Sequence, residues 1–172
     1  GISLLSTQEK VSYIDPTKEQ TKQTCDSATV VTETDTAWGA SDSQEHWYVV
    51  NSNVTINTRV TVTGDVHLIL ADGCTLNASQ GITVTGDNSL TIYGQSVGEG
   101  MGKLTANAGW ERAAIGSEQF QAAGNITICG GNITAAGGGS AAIGNVNGEA
   151  GTVTIYGGWV KATGAYTDAD SV

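Results

Sequence analysis

The hexapeptide VTVTGD at 60–65 returns as ITVTGD at 82–87. A chain that writes one strand and its turn twice at a short interval builds by stacking equivalent segments, each of which covers the apolar side of its neighbour. Three kinds of short strand recur in fixed order. The first kind is WYVV (47–50), LILADG (68–73), LTIYGQ (90–95), ITICGG (126–131) and VTIYGG (153–158). The second is VTIN (54–57), CTLNAS (74–79), KLTANAG (103–109), NITAAGG (132–138) and WVKATGA (159–165). The third is the VTVTGD pair followed by AAIGSE (113–118) and AAIGNV (141–146). The first kind is spaced by 22 residues from Leu70 to Ile92, 36 from Ile92 to Ile128 and 27 from Ile128 to Ile155. The drift falls in polar, Gly-rich segments such as SVGEGMG (96–102), where connecting loops lengthen without disturbing the strands.

Within a strand the pattern alternates with period two: Ile126 and Ile128 face one way and Thr127 the other. Stacked equivalents then form aliphatic ladders, Leu90, Ile126 and Val153 in one and Ile92, Ile128 and Ile155 in the next. Such ladders explain how a chain with 24 Gly, one Phe and one Met can hold a core. The fold predicted is all-β: a right-handed parallel β-helix (β-solenoid) with three short strands per coil and an N-terminal β cap. Residues 1–45 are read as leader and cap, with short strands at VSYI (11–14) and ATVVT (28–32) and with Trp38 covering the end of the stack. Residues 46–172 are read as the coils. Missing the next third-kind strand, they are expected to be cut from a longer protein, the alternative being a natural end capped by Tyr166 and the acidic tail. At the corners, Gly64 and Gly86 supply positive φ or close approach. Asp65 and Asp87 are then expected one above the other, about 5 Å apart.

Seventeen acidic against seven basic residues give a formal charge of −10, which repels phosphate backbones and anionic lipid. Nucleic acid is therefore disfavoured as a partner. No window approaches the roughly 18 to 20 apolar residues of a spanning helix, so membrane insertion is disfavoured as well. Cys25, Cys74 and Cys129 have no CxxC spacing and allow at most one disulfide within the chain. Cys74 and Cys129 read as small apolar strand residues.

The run WYVVNSNVTINTRVTVTGDVHLILADGCTLNASQGITVTGDNSLTIYGQ (47–95), with the AAIG turns and TVTIYGG that follow, resembles large secreted and cell-wall-attached surface proteins of gut Firmicutes, often labelled as containing carbohydrate-binding domains. The likeness covers nearly the whole chain from about residue 11, and its motifs are architectural. It implies an extracellular β-solenoid and, by analogy with related β-helical modules, calcium-assisted binding of acidic polysaccharide. It brings no catalytic set.

Candidate ligand-binding residues lie on outward faces. Tyr93, Cys129 and Tyr156 share a column beside Thr91, Thr127 and Thr154, while Trp159 follows a corner at the place matched by Asn132 and Lys103. Aromatic rings stack on sugars and Thr or Asn side chains bond hydroxyls, although Tyr and Thr are also simply good strand formers. Tyr93, Tyr156, Trp159, Thr127, Thr154 and Asn132 are the expected glycan contacts. Calcium is the one cofactor considered, with Asp65 and Asp87 as ligands and the tail carboxylates Asp168 and Asp170 as a second choice; none matches an established calcium loop. Arg59 and Arg112 are too few basic residues for a lyase site, and His46 and His67 stand alone, His67 being read as a surface residue. Asn-x-Ser/Thr triplets arise naturally in Thr-rich strands. The paired TxT of 61/63 and 83/85 lasts only two repeats, which argues against an ice-binding face. The expected function is non-catalytic binding of a polysaccharide or host glycan by a secreted or wall-attached module, with end-to-end self-association as a further expectation. A structural stalk is the alternative, and a polysaccharide lyase fragment the third reading.

Overall fold

The computed structural model describes residues 5–146 and 151–164. They form seventeen strands in three sheets and no helix. Numbered in chain order, the first sheet holds β1 (Thr7–Ile14), β2 (Lys22–Val30), β4 (Glu45–Val50), β7 (Asp65–Leu70), β10 (Ser89–Gly94), β13 (Asn125–Ile128) and β16 (Val153–Ile155), side by side in that order. The second runs β5 (Val54–Ile56), β8 (Thr75–Ala78), β11 (Lys103–Trp110), β14 (Asn132–Gly138) and β17 (Trp159–Thr163). The third runs β3 (Ala37–Gly39), β6 (Val60–Thr63), β9 (Ile82–Thr83), β12 (Ile115–Gly116) and β15 (Ile143–Gly144). Every pairing between these strands is parallel except β1 with β2.

The predicted right-handed parallel β-helix, with three strands in every coil and a separate N-terminal β cap, is corrected by this topology. The sheets are unequal, with seven, five and five strands, and the first is mixed. The reason lies in the first thirty residues. β1 and β2 form an antiparallel hairpin through seven residue pairs, whereas β2 joins β4 through only Thr29 opposite Tyr48 and Val30 opposite Val49. The hairpin therefore leaves the sheet and folds across its outer face. There Val11, Cys25 and Ala28 pack on Val49, Ile69, Tyr93 and Cys129. Asn51 donates to the Gln8 side chain at 2.9 Å and Gln95 to the Ser12 carbonyl at 3.1 Å, fastening β1 in place. On the hairpin's own surface Lys10, with φ of 53°, pairs with Asp26 at 2.6 Å.

The main core is built from the inward positions of all three sheets, among them Ile56, Leu68, Leu76, Ile82, Leu90, Ile92, Leu104, Ile115 and Ile126, none of them accessible to solvent. Ile92, Ile128 and Ile155 lie in register, as do Leu104, Ile133 and Val160. The spacing taken from Leu70 to Ile92 is corrected: Ile92 lies opposite Leu68, 24 residues away. Trp38 is buried opposite Val62 in the first strand of the third sheet, its indole N–H donating to Asp35 Oδ2 at 3.0 Å. Arg59 ties the corners together, donating to Thr83 Oγ1 and to the carbonyls of Gln80 and Ala113 at 2.7–2.9 Å. Burial pulls its guanidinium down to about 10, which leaves it charged at neutral pH beside Glu118.

Gly64 and Gly86 both have positive φ, at 74° and 60°, but the two corners differ in space. A Cβ at Gly64 would lie 2.1 Å from the Ala40 carbonyl oxygen, whereas one at Gly86 would meet nothing within 4 Å. Gly86→Ala is expected to cost about 1–2 kcal/mol, the penalty of the left-handed conformation, and Gly64→Ala clearly more because backbone must move. Urea unfolding of the two variants checks the order; equal losses would contradict it.

Candidate functional site

The outward residues of the first sheet divide into a covered group and an open group. In β7 the period of two places Asp65, His67 and Ile69 outward, yet everything from Val66 to Leu70 is buried because the hairpin covers the second face. Tyr93 and Cys129 are 4% and 5% exposed, while Tyr156, at the equivalent place in the next strand, is 55% exposed. The expected glycan contact at Tyr93 is thus corrected: its ring lies under Tyr13, edge-on at 4.8 Å between centroids, and is closed to a sugar. Burial drives its phenol pKa upward, so Tyr93 stays a neutral hydroxyl.

His67, expected at the surface, is 9% exposed. Its imidazole stacks on Trp47 at 4.4 Å with an interplanar angle of 16°, and Nδ1 lies 2.9 Å from the Tyr93 hydroxyl. Nε2 faces two carboxylates, Asp65 Oδ1 at 3.0 Å and Glu45 Oε1 at 3.9 Å. Register produces this group: Glu45 lies opposite Asp65 and Trp47 opposite His67 in neighbouring parallel strands. The expected stacking of Asp65 on Asp87 does not occur. Asp65 lies opposite Ser89, whose hydroxyl donates to it at 3.2 Å, and Asp87 sits exposed in the turn before β10. The longer turn at 85–88, held by Asn88 bonds to the Thr85 carbonyl, displaces the second aspartate by two positions. Asp168 and Asp170 lie outside the described residues.

The open group surrounds the corner Gly157–Gly158. Trp159, 49% exposed, lies opposite Asn132, which lies opposite Lys103, so this predicted column is present. Thr127 and Thr154 are paired in register and half-buried. On one side of the corner Tyr156 faces Ile14, Pro16, Val97 and Met101 across an apolar cleft of about 190 Å³. On the other, Trp159, Asn132, Lys103 and Glu99 line a groove of about 390 Å³. Residues of 96–101 line both, and Met101 is common to the two.

Protein-family models, curated proteins and solved structures offer no match to this chain. Its chemistry is therefore read from the geometry alone. Sequence reasoning missed Glu45 and Trp47, although a signal was present: E-x-W in EHWYVV and D-x-H in DVHLIL put two polar or aromatic residues on one face at corresponding places. It also missed the hairpin-tip residues Ile14 and Pro16, whose nearness to Tyr156 depends on contacts distant in sequence. No helix among the described residues is long and apolar enough to cross a membrane.

All three cysteines are free thiols, and two are buried. Burial raises the Cys25 thiol and lifts Cys129 to about 11 from an ordinary 9.0. The folded chain thus holds these protons more tightly than the unfolded one. Stability from this source is fully present below about pH 9 and is lost as pH rises towards 11. Urea midpoints across that interval should fall, less steeply in Cys129→Ala. At pH 8 a thiol reagent should modify half-buried Cys74 before the other two; rapid labelling of all three in the folded protein would contradict their placement.

Proposed function

We propose that the protein is a non-catalytic carbohydrate-binding module of a secreted or cell-wall-attached protein, holding a glycan at the corner flanked by Tyr156 and Trp159. The observation that carries this reading is the pair of exposed rings on either side of Gly157–Gly158, each opening onto its own groove. Aromatic faces stack on the C–H surfaces of sugar rings, and Asn132, Lys103 and Glu99 offer donors and acceptors to hydroxyls. The net charge of −10 favours neutral glycans over acidic ones unless a cation intervenes.

A glycan array followed by titration of tryptophan fluorescence tests the proposal. A hit should be weakened at least tenfold by Trp159→Ala or Tyr156→Ala. Silence across neutral and acidic glycans, with and without calcium, would refute it, and release of reducing or unsaturated sugars would replace it with an enzyme.

A second reading, a structural stalk that associates end to end, is favoured by one observation. Val153 and Ile155 continue the inward columns of Ile126 and Ile128, yet they are 42% and 52% exposed. Sedimentation velocity should then show concentration-dependent association that Ile155→Glu abolishes. A monomer at all concentrations would remove this reading.

A further inference from the structure

We propose that Glu45, Asp65 and His67 form a binding site for a first-row divalent cation, zinc being the ion that suits its donors best. The inference is independent of the glycan reading and rests on residues away from that surface. Each of the three offers one donor atom, and the three atoms lie within 4.8 Å of one another. His67 Nε2 is buried and accepts or donates no hydrogen bond. Asp65 Oδ1 is only 3.0 Å away, but it stands off the direction in which a ring N–H points, so proximity does not become a bond.

The two tautomers lead to one need. With the proton on Nδ1, donated to the Tyr93 oxygen, Nε2 turns a lone pair towards two carboxylates, an arrangement that a cation reconciles. With the proton on Nε2, a buried N–H is left without an aligned acceptor. A metal ion about 2.0–2.1 Å from nitrogen and oxygen donors in tetrahedral geometry sets those donors roughly 3.3 Å apart. The observed 3.0 and 3.9 Å lie on either side of that separation. Glu45 can close the difference, since its side chain is 61% exposed and its other oxygen, Oε2, accepts from the Trp47 indole N–H at 3.3 Å, which leaves Oε1 to swing towards the ion.

The surroundings are those of a metal-bound histidine. Trp47 fixes the ring plane by stacking, and the neutral Tyr93 hydroxyl takes the remaining ring nitrogen, the outer contact that sets tautomer and orientation at such sites. Ser89 holds Asp65 Oδ1. One imidazole and two carboxylates favour zinc or a neighbouring transition ion over calcium, which prefers six to eight oxygens. Three protein donors leave a fourth position for water.

The test uses the full chain freed of metal with a chelator, then titrated calorimetrically with zinc alone and, separately, with calcium alone. One zinc per chain is expected, with Glu45→Gln and Asp65→Asn each weakening binding tenfold or more and Tyr93→Phe by about ten- to a hundredfold. Glu45→Gln is the decisive variant because an exposed side chain can be changed without loss of folding, which circular dichroism verifies. The nearby pair of His46 and Asp42, 2.7 Å apart, is the control: His46→Gln should leave affinity unchanged. Cobalt in place of zinc should give a visible spectrum without a thiolate charge-transfer band, and the ¹⁵N resonance of His67 Nε2 should shift on loading. The proposal is overturned by absence of zinc binding, by binding that survives Glu45→Gln and Asp65→Asn, by a thiolate band that moves the ion to a cysteine, or by calcium binding in zinc's place.

Discussion

The constraint on which the structure depends is register between parallel strands of one sheet. Because side chains alternate, a shift of one residue would turn an entire inward column to solvent. Ile92 over Ile128 over Ile155, Leu104 over Ile133 over Val160, and Ile82 over Ile115 over Ile143 align the three sheets around one core. The connecting segments carry no such requirement and vary in length. That same register brings Glu45 beside Asp65 and Trp47 beside His67, so the polar group on the outer face is a by-product of alignment demanded by the inner one.

The N-terminal hairpin then decides which outward residues meet solvent. It covers Val49, Ile69, Tyr93 and Cys129, forming a second apolar cluster outside the first sheet. Tyr156 meets the hairpin at its tip, across the cleft lined by Ile14 and Pro16, and stays 55% exposed. One column of equivalent positions is thereby split into a rigid, dry part and an accessible part, and only the accessible part is available to a bulky ligand. Glu45, exposed, and Asp65, half-buried, adjoin a buried imidazole.

The all-β composition and the inward columns were legible because Ile126-Thr-Ile128 and its equivalents alternate cleanly, and alternation is a local property. The outer face was not legible. Tyr13 and Trp47 meet at 4.9 Å although far apart in sequence, and nothing near either residue announces the contact. DVHLIL did hold a trace of it: Ile69 is apolar at a position that alternation reserves for solvent, the mark of a strand covered on both sides. The expected Asp65–Asp87 pair fails because the repeated TGD is not one turn used twice. In the structure the first Asp opens β7 at once, whereas the second is followed by Asn88 before β10 begins. Trp159, Asn132 and Lys103 were placed correctly because no insertion falls between their corners and the strands that carry them.

The hairpin gives the first sheet two unlike margins among the described residues. At one, β1 offers Glu9 and the Lys10–Asp26 ion pair, with Lys10 in a left-handed conformation that spoils a flat strand, devices that discourage a foreign strand from adding there. At the other, β16 offers Val153 and Ile155. Among the described residues the two margins therefore differ in kind, one charged and bent away from pairing, the other apolar.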